Sequence, residues 1–92
     1  MKGQKVKAPW LRIEIVADDE TPFIAMFEPT GMTYNLAGGE RMFVDVEEPT
    51  FLQPGSEVPI FRVEPWAGGI SFSPPASVVT RDAEGNELHW LN

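Results

Sequence analysis

Residues 23–46 read FIAMFEPTGMTYNLAGGERMFVDV. Phe23–Glu28 is an apolar run that stops at Glu28-Pro29, and Thr30-Gly31 signals a turn. Tyr34 and Leu36 then alternate with Thr33 and Asn35, Ala37-Gly38-Gly39 turns the chain again, and Met42, Val44 and Val46 alternate with Arg41, Phe43 and Asp45. Period-two alternation between Gly and Pro punctuation predicts strand, turn, strand, turn, strand, each strand half-buried.

The flanking sequence has the same grammar. Trp10–Val16 predicts a strand with Leu11, Ile13 and Ile15 on one face and Arg12 and Glu14 on the other. Val58–Glu64 and Ala76–Asp82 predict further strands, and Ile70 and Phe72 alternate with Ser71 and Ser73. Ala83-Glu84-Gly85-Asn86 predicts a hairpin turn into Glu87–Leu91, where parity assigns Leu88 and Trp90 to the core and His89 to the outside. Glu47–Glu57, with two prolines and no alternation, reads as the longest loop, with Phe51 and Leu52 tucked beneath it. Nine prolines and eight glycines between short strands give an expected all-β fold. That fold is an antiparallel two-sheet sandwich of about seven or eight strands, Greek-key and Ig-like or cupredoxin-like. Residues 1–9 are expected to be a flexible basic tail and 10–92 one sandwich domain.

With 42% hydrophobic and 23% charged residues, the chain has a globular composition. It has no cysteine, which excludes disulfides, thiolate metal sites and cysteine nucleophiles. Fourteen acidic against seven basic residues give a net charge of −7, and three of the basic residues are Lys2, Lys5 and Lys7. So acidic a body repels nucleic-acid phosphates and suits a basic partner. No apolar run reaches the roughly 20 residues that span a membrane, and no apolar segment follows the first lysines, so a cytoplasmic location is expected.

If every connection reverses direction, loops 17–21, 37–40, 65–69 and 83–86 share one end. That end gathers Asp18, Asp19, Glu20, Glu40 and Glu84, with Trp66 among them. Loops held by a rigid scaffold are common binding sites, and a tryptophan beside glycine suits an anchor. The expected function is therefore a non-enzymatic acidic module that engages a protein partner through this end. No Ser-His-Asp arrangement, phosphate loop or distinguished carboxylate pair argues for catalysis, and no cofactor is expected. Two alternatives stay open. One is a carbohydrate- or small-ligand-binding sandwich using Trp10, Trp66 and Tyr34. The other is a metal-binding protein, with calcium at Asp82–Asn86 or copper at His89, Met32 and Met42. An exposed edge strand is also a possible route to a dimer.

The strings FEPTGMTYNLAGGERMFVDV (27–46), VEPWAGGISF (63–72) and VVTRDAEGNELHWL (78–91) resemble small bacterial proteins of uncharacterised function that share a strand–EP–G–Y–x–L–x–x–G–E core. The resemblance implies an all-β fold and transfers no catalytic or binding residue. The second half also echoes the first in outline: Phe27-Glu28-Pro29 falls on Val63-Glu64-Pro65, Tyr34 and Leu36 on Ile70 and Phe72, and Met42 on Val78.

Overall fold

The computed structural model describes residues 8–18, 20–49 and 58–92. Among them all elements are strands: β1 (Leu11–Val16), β2 (Phe23–Phe27), β3 (Met32–Leu36), β4 (Arg41–Val46), β5 (Arg62–Trp66), β6 (Gly69–Ser73), β7 (Val78–Arg81) and β8 (Glu87–Leu91). Sheet A has the order β1-β4-β7-β8, and sheet B the order β3-β2-β6-β5. The expected segment Phe51–Leu52 lies outside the described residues.

Alternation sets the core. From sheet A, Ile15, Met42, Val44, Val46, Val78 and Leu91 are buried; Ala25, Phe27, Leu36 and Phe72 meet them from sheet B. Phe27 stacks on Phe72 with ring centroids 5.2 Å apart and meets Tyr34 edge-on at 5.6 Å. Tyr34 on β3 reaches across to Thr80 on β7 and His89 on β8. Contacts of this kind place the β3 edge of sheet B against the β8 edge of sheet A.

The expected all-antiparallel pairing holds in sheet A and fails in sheet B, where β2 and β6 run parallel. Strand directions alternate along the chain, so all even-numbered strands point the same way. Local hairpins β2–β3 and β5–β6 are antiparallel. When the two hairpins join through β2 and β6, two even strands become neighbours and must be parallel.

Three local expectations also change. The fifth strand runs Arg62–Trp66 and contains Pro65, which an edge strand tolerates because no partner needs its missing N–H. Trp66 thus ends a strand instead of standing in a loop. On β8, Leu91 faces the core opposite Val78 and His89 lies opposite Thr80, while the register shifts between Thr80 and Arg81. Leu88 and Trp90 are consequently exposed, Trp90 to 58%, and His89 turns toward Tyr34. Alternation fixes only which residues of β8 share a face; with Leu91 in the core opposite Val78, the Leu91–His89 face turns inward and Leu88 and Trp90 turn outward.

Candidate functional site

Four connections meet at one end of the two sheets, and backbone hydrogen bonds fix three of them in place. Ala17 N–H donates to Glu40 O at 2.8 Å, and Gly39 N–H is shared between Ala17 O and Asp18 O at 3.2 and 3.1 Å. These bonds join the β1–β2 connection to the β3–β4 turn. Ile24 N–H donates to Gly68 O at 3.0 Å, which brings in the β5–β6 turn. The β7–β8 turn comes alongside because β7 ends where β4 begins, with Arg81 opposite Phe43.

The turns also organise themselves internally. Glu40 Oε1 accepts from Ala37 N–H at 2.7 Å. Asp82 Oδ1 accepts from Asn86 N–H at 2.8 Å and Glu84 N–H at 3.0 Å, and its Oδ2 accepts from the Asn86 amide at 3.2 Å. These donors, the Asn86 N–H above all, hold the Asp82 carboxyl below the usual carboxylate range against the opposing effect of burial. Gly85 completes the turn at φ 89°, a left-handed conformation that a side chain would oppose.

A cleft of about 730 Å³ opens at this end between β3 and the β4, β7 and β8 side. Glu40, Asp82 and Glu84 border it, Thr33 and Asn35 flank it, and Tyr34 and Leu88 supply apolar surface in front of the buried Leu36 and Met42. Arg41 is the one basic residue in the lining, and its guanidinium is engaged 2.9 Å from Glu14 on β1. A cleft with carboxylates around apolar side chains can receive a cation that carries an apolar stem, such as a lysine or arginine side chain.

Of the residues expected at this end, the structure brings Glu40 and Glu84 together in the cleft. Asp18 is exposed next door, where its Oδ1 accepts from Glu20 N–H at 3.3 Å, and Glu20 is exposed too. Asp19 lies outside the described residues. Trp66 is at the same end, but on the outer face of sheet B and on the edge strand farthest from β3. It does not line the cleft.

The residues named for the alternatives do not converge. Tyr34 faces inward, its hydroxyl 2.8 Å from Thr80 Oγ1 and 3.0 Å from His89 Nδ1, and burial pushes its phenol above the ordinary value while the Thr80 bond opposes. Trp10 is exposed beside β1, with its N–H on Val46 O. Met42 is in the core, and Asp82 spends its oxygens on its own turn. Among the described residues, no three His, Asp or Glu side chains gather in a group fit to hold a metal.

Sequence reading missed Asp45. It is only 6% exposed although it points away from the core. Arg12 on β1 grips it with Nε and Nη2 at 2.5 and 2.8 Å, and Arg81 on β7 adds Nε at 2.9 Å. The Arg12 bond leads in holding this carboxyl below the usual range, burial opposes, and Arg81 reinforces. Opposite charges at outward positions of β1 and β4 were the only signal, and reading it requires knowing that these strands pair.

The chain matches no known protein family, no curated protein and no solved structure. No helix among the described residues is long and apolar enough to cross a membrane.

Proposed function

We propose that this protein is a non-enzymatic binding module whose acidic loop end receives a basic protein partner. In this reading the two sheets form a rigid sandwich scaffold for the loops. The observation that carries it is the cleft that Glu40, Asp82 and Glu84 line together with the apolar Tyr34 and Leu88. Asp18 and Glu20 extend the negative surface beyond the cleft, and the chain's net charge of −7 has the same sign. Turns braced by their own hydrogen bonds present these carboxylates with little ordering left to lose on binding. Trp66 flanks the same end and is free to contact a partner broad enough to reach around the sheet edge.

The test is affinity capture with wild-type protein and an E40K/E84K variant as parallel baits. A partner held by wild type, released as the Debye length falls from about 10 Å at 0.1 M to about 3 Å at 1 M salt, and not retained by E40K/E84K is the expected result. Equal retention by both baits would remove the acidic end from the interaction. Both glutamates are exposed, but E40K also removes the acceptor of the Ala37 N–H bond, so weaker retention by E84K alone, with an unchanged circular dichroism spectrum, separates the charge from the turn.

A further inference from the structure

The outer face of sheet B presents an aromatic surface of a kind different from the acidic cleft. Trp66, Gly69 and Ile24 form one row across β5, β6 and β2, followed by Asn35 on β3; Glu64, Ser71, Met26 and Thr33 form the adjacent row. The six-membered ring of the Trp66 indole covers Gly69. A Cβ placed on Gly69 would collide first with the backbone carbonyl of Ile24 and would also stand 2.9 Å from Cζ2 and 3.0 Å from Cη2 of Trp66, so glycine here admits both the neighbouring strand and the ring. Trp66 Nε1–H donates to Ser71 Oγ at 3.0 Å. The indole is therefore held on one side by backbone and at its edge by a hydrogen bond, yet it remains 40% exposed.

We infer that Trp66 is a stacking platform for a neutral glycan. With its N–H already engaged, the indole offers a ligand only its electron-rich ring face, which attracts polarised C–H groups. A pyranose ring supplies such C–H groups on one face and hydroxyls around its rim. The neighbouring rows carry matching donors and acceptors in Asn35, Thr33, Ser71 and Glu64. Arg62 and Glu64 project from the same face of β5 with opposite charges, so the platform has no net charge to select an ionic ligand. Three strand spacings of about 4.8 Å make the face about 14 Å wide, the span of a short glycan segment. The preset ring orientation reduces the ordering cost of binding.

The experiment uses the full chain with W10F/W90F, which leaves Trp66 as its sole tryptophan. Cellohexaose, chitohexaose and maltohexaose are titrated separately, followed by fluorescence and calorimetry. At least one should shift Trp66 emission saturably. W66A should weaken that binding at least tenfold, a loss of roughly 1.4 kcal/mol, and S71A should weaken it less, with unchanged circular dichroism. W66F, which keeps a ring, should lie between wild type and W66A if alanine disturbs folding. No binding by any of the three sugars, or equal binding by W66A, overturns the inference. So does a sedimentation result in which W66A turns a dimer into a monomer without any sugar binding, which would make the indole a self-association contact.

Discussion

Asp45 lies within β4 of sheet A and Asp82 follows β7 at the acidic end, and both carboxyls are held below their usual range. They get there by different means. Asp45 is gripped by two guanidiniums, so its charge is cancelled where it stands, and the cluster ties β1, β4 and β7 across their outer face. Asp82 is held by amides of its own turn, which are neutral. Its negative charge therefore stays on view beside Glu40 and Glu84. Sheet A uses opposite charges to build structure, whereas the loop end uses neutral donors to present one sign of charge.

The comparison can be broken most directly at Asp45. D45N should lower unfolding stability by about 2 kcal/mol, because a nearly buried carboxylate with three charge-assisted bonds is replaced while exposed Arg12 can return to water. Urea denaturation measures this, and a loss below about 0.5 kcal/mol, the level of a surface ion pair, would make the cluster a surface ornament. The effect should depend on pH in a defined direction. A depressed folded-state value means that the stabilisation is fully present above the unfolded Asp value of about 3.9 and disappears as pH falls through the folded value. Wild type and D45N should therefore converge in stability on acidification below about pH 4.

A smaller effect is expected where the two sheets meet near the cleft. Y34F removes a hydroxyl shared by Thr80 and His89 and should cost about 1 kcal/mol in the same urea assay. An unchanged midpoint would show that water replaces the phenol at this half-buried position. Smallest of all is the Glu14–Arg41 pair, 2.9 Å long with both side chains well exposed. E14Q should change stability by no more than about 0.5 kcal/mol, and raised salt should erase the difference. A large loss there would mean that ion pairs on this face act as one network, extending the cluster beyond Asp45.

Much of this molecule was legible residue by residue. Alternation identified the strands around 23–46 and the buried Met42, Val44 and Val46, because the pleat sends successive side chains to opposite faces wherever a sheet has one wet side. Glycine and proline marked the turns, and alternating strand direction was enough to collect Asp18, Glu40 and Glu84 at one end. Pairing between distant strands was not legible. It decided that β2 lies parallel to β6, that Asp45 falls between Arg12 and Arg81, and that Trp66 lies over Gly69, away from the acidic cleft. It also put Leu91 into the core opposite Val78, which turns Trp90 outward and His89 toward Tyr34. The local pattern settles which way a side chain points from its own strand, because that depends only on backbone geometry. What the side chain meets there depends on which strand lies alongside, and that is chosen by packing the whole chain around one core.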